Sequence, residues 1–174
     1  GIRTAETHGL AQRSGSIYTH IRISDGEEIF SPLIPPGEAD VLLSMEAMEA
    51  LRNIEFLKRG GTIILNEYVW QPVQSTFERV KEPEKPYLSI EEILGQLSKV
   101  SEKILVIDAL KLANIAGNPL TSNVVLLGLL ARQEGFNITL DQLREVLPEV
   151  VPEKALEANR EALSLGFKHQ GNTK

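Results

Sequence analysis

Three short and almost wholly apolar runs constrain the fold of this chain more than any other feature: Ala39-Asp40-Val41-Leu42-Leu43, Thr62 to Leu65, and Ile104 to Ile107. Each is too short for a helix and too continuous for a strand with one wet face. Such runs read as strands covered on both sides, which is the situation of parallel strands between layers of helices. The intervals between them carry helical signals. Met45, Met48, Leu51 and Ile54 recur at helical spacing behind Ser44 as a cap, with a stop at Gly60-Gly61, and Asn66 ends the second run. Ser89 with Glu92 forms a capping box for a helix reaching about Leu97. Strand, helix, strand, helix, strand in that order predicts parallel pairing with right-handed crossovers. The expected class is α/β, an open, mostly parallel, Rossmann-like sheet with a β-hairpin and a helical C-terminal part.

The helical part begins at Asp108. Asp108 to Ala116 reads as a short helix closed by Gly117, and Pro119 to Gln133 is apolar nearly all round, as a buried helix is. Thr139 with Gln142 makes a second capping box, and Pro152 suits the first position of a last helix running to Leu165. Residues 1–166 are expected to form one domain, and the polar tail 167–174 to fray. Residues 67–87, broken by Pro72, Pro83 and Pro86, read as an irregular excursion with at most one short edge strand. Near the N-terminus residues 17–23 alternate, with Ile17, Thr19, Ile21 and Ile23 on one face and Tyr18, His20 and Arg22 on the other, the pattern of a half-buried strand. Asp25-Gly26 then suggests a tight turn, with Ile29-Phe30 beginning the return arm of the hairpin.

Composition removes whole classes of chemistry. With 174 residues the chain is long enough to bury a core. A net charge of -6 argues against affinity for nucleic acid or acidic membranes, whose phosphates need a basic field. No apolar run approaches the roughly 20 residues of a bilayer span, so a soluble, cytoplasmic protein is expected. The chain has no cysteine, which removes thiolate-held iron–sulfur clusters, cysteine-type zinc sites, disulfides and cysteine nucleophiles. His8, His20 and His169 show no metal-ligand spacing, so no metal site is expected.

The candidate functional residues lie elsewhere. Thr4 to Ser16 is polar and glycine-bearing and runs straight into the alternating strand, where binding groups tend to sit. His8, Arg13, His20 and Arg22 could form a cationic constellation suited to a carboxylate or phosphate, or could be a solvated hairpin face in an acidic protein. Three amides stand among apolar neighbours, Asn66, Asn123 and Asn159. Each is expected to tie a helix to a loop backbone, and Asn66 is also placed to line a binding crevice, because it ends a strand of an open sheet.

Thr4 to Ile17, TAETHGLAQRSGSI, closely resembles the segment that marks the gamma-type subunit of the 2-oxoacid:ferredoxin oxidoreductases, and most of all the beta subunit of the indolepyruvate enzymes. The usual form is close to TAETHGMAQRGGSV, from which this chain departs at Leu10 and Ser14. Further blocks share the likeness: His20-Ile21-Arg22, Ser31-Pro32-Leu33-Ile34 with Gly37, Ala39 and Asp40, Glu46 with Arg52, Gly60-Gly61 with Asn66, Asn118 with Asn123, Leu127-Gly128, and Asn159 with Gly166. Family members usually open with a strand, a GxGGxG-like loop and a helix before the Thr4 segment, and this sequence carries no counterpart. The resemblance implies a subunit that binds no cofactor itself. Thiamine diphosphate, Mg²⁺ and iron–sulfur clusters would reside on partner subunits, and ferredoxin and coenzyme A would act on the complex. It further implies Glu6, His8, Gln12 and Arg13 as active-site or interface residues, with His20, Arg22 and Asn66 as further candidates. Two other readings are a structural docking module, which in isolation could pair with itself, and, less favoured without a glycine loop, a free-standing nucleotide binder.

Overall fold

Burial on both faces of the central strands sets the architecture of the computed structural model, which describes residues 1–8, 17–70, 88–170 and 172–173. Strands β1 (Ile2–His8) and β2 (Ile17–Ile23) form an antiparallel two-stranded sheet. The chain then builds β3 (Ala39–Ser44), helix α1 (Ala47–Arg52), β4 (Leu57–Asn66), α2 (Ile90–Leu97) and β5 (Ile104–Ile107). The helical part consists of α3 (Ala109–Ile115), α4 (Ser122–Ala131), α5 (Leu140–Val150) and α6 (Leu156–Lys168), followed by a two-residue strand β6 (Asn172–Thr173). The second sheet has the order β3-β4-β5-β6, with β3–β4 and β4–β5 parallel and β6 antiparallel to β5.

Successive residues of β4 and β5 point to opposite faces, and each face has its own core. Ile63, Leu65, Ile104 and Val106 pack with Ala47 and Ala50 of α1 and Ile93, Leu94 and Leu97 of α2. Ile64 and Ile107 pack with Ala109 and Ala113 of α3, Val125, Leu126 and Leu129 of α4, and Ala162 and Leu163 of α6. The runs in β4 and β5 are thus buried on both sides, whereas β3 lies at the sheet edge and leaves Asp40 and Leu43 exposed, and both capping boxes close as expected at Ser89–Glu92 and Thr139–Gln142.

Several boundaries differ from the sequence reading, each for a local reason. The first helix ends at Arg52, and β4 begins at Leu57 and includes Gly60-Gly61. Between the pairs Ala39↔Leu57 and Val41↔Thr62, β3 advances two residues and β4 five, so the glycines form a bulge with Gly60 at φ 72°. Glu46, rather than Ser44, caps α1. The hairpin joins β1 to β2 across the polar segment, and residues 24–38 contain no strand. Within the expected tail, α6 continues to Lys168, and Asn172–Thr173 adds to the sheet edge. Asn159 does not tie its helix to a loop: it donates to the carbonyl of Ala155, the N-cap of its own helix, at 2.8 Å, and Asn123 is exposed on α4.

Helices α4 and α6 touch through main chain. A Cβ built on Gly166 would lie 1.9 Å from the Val125 carbonyl oxygen, and one on Gly128 would lie 2.2 Å from that of Leu163. Neither space can open without separating the helices. Gly166→Ala or Gly128→Ala should therefore lower the unfolding free energy by about 1–3 kcal/mol or more, read from urea melts. Gly95→Ala, on α2 with nothing within 4 Å of the added carbon, should instead raise it by about 0.5–1 kcal/mol.

Candidate functional site

Two regions carry the candidate residues, the hairpin and the carboxyl end of the parallel sheet. In the hairpin, pairing places Ile2, Thr4 and Glu6 opposite Ile23, Ile21 and Thr19, and these positions, with Ile17 two residues before Thr19, share one face. That face is the outer one. Ile2, Ile17, Ile21 and Ile23 are 60%, 61%, 56% and 49% exposed, while His20 is buried. The expected polarity of this strand is thereby reversed: the isoleucines face outward and the Tyr18, His20 and Arg22 side faces the protein. Period-two alternation separates two faces but does not say which one is covered.

The inner face is held by rings and main chain. The His20 ring lies edge-on to Phe56 at 5.0 Å and to Tyr18 at 5.4 Å, and its Nδ1 accepts the Ile34 N–H at 3.3 Å. The Arg22 guanidinium donates to the carbonyls of Ser31 and Leu33 at 3.0 and 3.3 Å. His20 and Arg22 thus anchor the hairpin to the loop at 31–34. Glu6 is exposed on the opposite face, and His8 occupies the last rung of β1. Gln12 and Arg13 lie outside the described residues.

At the carboxyl ends of β3, β4 and β5 the chain leaves the sheet three times, and Asn66 joins the exits. Its Nδ2 donates to the Met45 carbonyl after β3, and its Oδ1 accepts the Ala109 N–H at the start of α3, both at 3.0 Å. The amide is buried, and its oxygen and one amide hydrogen bond main-chain groups at neighbouring exits. Glu46 bridges main chain in a similar way, with Oε2 accepting the Glu49 N–H at 2.8 Å and Oε1 the Trp70 N–H at 3.0 Å. With Ala47 N–H donating to the Tyr68 carbonyl at 2.9 Å, residues 66–70 are knitted to residues 45–47.

This framework presents Met45, Tyr68 and Trp70 partly to solvent. Along α3, Asp108, Leu110, Lys111, Asn114 and Ile115 bound an open depression of ≈ 530 Å³. The sequence reading missed Glu46, Met45, Tyr68 and Trp70 as members of this edge. The available signal was a pair of aromatic residues shortly after a strand-ending asparagine. Among the described residues no group of three His, Asp or Glu could hold a metal ion.

Comparison with known proteins agrees with this architecture. Residues 1–169 match the family described as pyruvate ferredoxin/flavodoxin oxidoreductase. The chain is 39% identical over 168 residues to the indolepyruvate oxidoreductase subunit IorB of Pyrococcus horikoshii, covering 96% of this chain and 80% of that protein. It is 39% identical over 172 residues to the same-named subunit of Thermococcus kodakarensis, with 96% and 80% covered. Its fold is similar to the gamma subunit of a keto/oxoacid ferredoxin oxidoreductase from Geobacter sulfurreducens, with a TM-score of 0.62 at 19% identity over 97% of this chain and 78% of that one.

Replacing Asn66 with leucine should cost about 1–3 kcal/mol for each main-chain group left unpaired, seen as a lower urea midpoint. Because Trp70 is the chain's one tryptophan, Glu46→Ala should red-shift its fluorescence and increase its quenching by acrylamide. An unchanged spectrum would mean that the carboxylate does not hold Trp70 in place.

Proposed function

Because the chain belongs to the pyruvate ferredoxin/flavodoxin oxidoreductase family, we propose that it is the cofactor-free, gamma-type subunit of a complex that oxidises a 2-oxoacid, with indolepyruvate the leading substrate. The observation that carries this reading is the likeness, over nearly the whole chain, to subunits named for indolepyruvate oxidation. In the overall reaction the 2-oxoacid loses carbon dioxide, its acyl group passes to coenzyme A, and the two electrons released reduce ferredoxin. Thiamine diphosphate, Mg²⁺ and iron–sulfur clusters belong to partner subunits in this scheme. The sequence chemistry agrees for the clusters, since a chain without cysteine offers no thiolate.

The chain's own contribution is positioning and electrostatics. His20 and Arg22 fix the two-stranded hairpin to the loop at 31–34. Glu6 and His8 of β1, with Gln12 and Arg13 of the TAETHGLAQRSGSI segment, are the residues assigned to engage a substrate carboxylate or coenzyme A phosphates at a neighbour's active site. Asn66 belongs to the framework behind the second edge. The protein acts in the cytoplasm, and alone it is catalytically inactive.

A second reading, a docking module that supplies no group to the chemistry, is favoured by one observation. The outer hairpin face is apolar and exposed, which is how an interaction surface looks. The same face would let the isolated chain self-associate.

Reconstitution separates the two. In the complex with its partner subunits, His8→Ala and Arg13→Ala should assemble normally and lower kcat/KM about tenfold or more, or roughly 1.4 kcal/mol per factor of ten. Weakened assembly with unchanged turnover of the complexes that form would favour the docking module. The purified single chain should not oxidise 2-oxoacid with a dye acceptor, and turnover by it would overturn the division of labour.

A further inference from the structure

Strand β1 is the outlying strand of the hairpin. Ile2, Thr4 and Glu6 on its outer face and Arg3 and Thr7 on its inner face are all exposed, while β2 is fastened to the loop at 31–34 through His20 and Arg22. The phase of the ribbon's hydrogen bonds follows from its end. Gly1 and Ser24 exchange both main-chain bonds, the Gly1 amine donating at 2.7 Å and the Ser24 N–H at 2.9 Å. Such rungs alternate in an antiparallel pair, so the N–H and C=O groups of Arg3, Ala5 and Thr7 face β2, and those of Ile2, Thr4, Glu6 and His8 face away from it. The outward groups of Thr4 take no hydrogen bond from any described residue, and the Ile2 carbonyl takes a long one, 3.4 Å, from the neighbouring Arg3. β1 also lacks the proline or bulge with which natural edges are blunted, and its register with β2 is unbroken.

We propose that β1 pairs edge to edge with β1 of a second copy of this chain, about a twofold axis perpendicular to the ribbon, making a four-stranded sheet in the order β2-β1-β1-β2. The strand is complementary to itself. Outward groups meet only in registers that oppose Ile2, Thr4, Glu6 and His8 to one another. A register centred on Arg3 would set two guanidinium groups directly opposite, which destabilises a sheet, and one centred on Thr4 would leave His8 beyond the end of its partner strand. The register centred on Ala5, the midpoint of β1, uses the whole strand. Thr4 then bonds Glu6 of the second copy, Ile2 bonds its His8, and Arg3 lies opposite its Thr7. The two Ala5 residues meet at the axis, where a small side chain admits the close approach of a non-hydrogen-bonded pair. No like charges are opposed, and the outer isoleucines of both copies form one broader apolar face. A ribbon of two strands is marginal, whereas four strands with an apolar face support one another. The contact is one strand long and smaller than a standard interface, so it forms with rising concentration. It goes beyond the subunit assignment, because it needs no partner chain, and it gives the self-association named there an edge, a symmetry and a register.

Sedimentation equilibrium and amide hydrogen exchange on the full chain, each at about 10 μM and about 1 mM, test the pairing. The chain should pass from monomer to dimer, and the Thr4 amide should gain protection about tenfold or more. Thr19 and Ile21, whose N–H groups face the other edge of the ribbon, should gain none. Thr4→Pro removes an outward N–H and no bond to β2, so it should leave the chain monomeric, whereas Thr4→Val keeps that N–H and should still dimerise. If Thr4→Pro does not fold, the exchange of the parent chain decides. A monomer at both concentrations, a dimer in which Thr4 stays unprotected, or a gain at Thr19 and Ile21 would overturn the proposal. So would protection of Thr4 that appears only when a partner subunit is added, which would give the edge to that subunit. Failure of the self-pairing would leave the subunit assignment standing. Oxidation of 2-oxoacid by the chain alone would count against that assignment and not against the pairing.

Discussion

One amide side chain holds together the edge of the sheet at which the chain turns back three times. Parallel strands leave their last carbonyls and the first N–H groups of the following segments pointing at one another across gaps that backbone pairing cannot close. Asn66 spans such a gap on each side, reaching Met45 after β3 and Ala109 before α3. An amide suits the place because it offers a donor and an acceptor from one planar group and carries no charge to desolvate. The two cores depend on this closure, since Ala47 and Ala109 begin the helical cover on either face directly beyond the joined exits.

The sheet and its layering were legible in the sequence because burial on both faces leaves an unambiguous mark, a continuous apolar run bounded by capping residues. β5 was read with its correct ends, and both capping boxes were found, since each depends on two side chains close together in a local motif. The bulge in β4 was not legible: a glycine pair after a helical pattern reads as a stop, and only the pairing with β3 reveals that Gly60-Gly61 lie within a strand. The cap of α1 was missed for a related reason. Glutamate is seldom an N-cap, and here its second oxygen is engaged by Trp70, far along the chain.

The candidate site was legible in its parts and not in its orientation. Alternation told the faces of β2 apart, and the usual rule would bury isoleucine and expose arginine and histidine. The opposite arrangement holds because Phe56 offers a ring to pack against and the loop at 31–34 offers carbonyls and an N–H to bond. A ribbon of two strands is marginal by itself, so its inner face is tethered by directional contacts, and its outer face keeps the apolar character expected of a surface that meets another protein. Family likeness pointed to the same segment from a different direction, through residues that lie in sequence between the two strands of this arm.

The tethers of the hairpin and of the sheet edge address backbone groups and no side-chain identities. Ser31, Leu33, Ile34, Met45 and Ala109 serve through their carbonyls or N–H groups, so most replacements there leave the contact available. One residue is barred. The loop places proline at 32, 35 and 36 yet spares 33 and 34, whose N–H groups donate to Ser31 Oγ and His20. The same bar applies at 109. At the exposed Leu33 many side chains therefore leave the contact intact, whereas Ala109 is held also by the core that encloses it, and proline is refused at 33, 34 and 109.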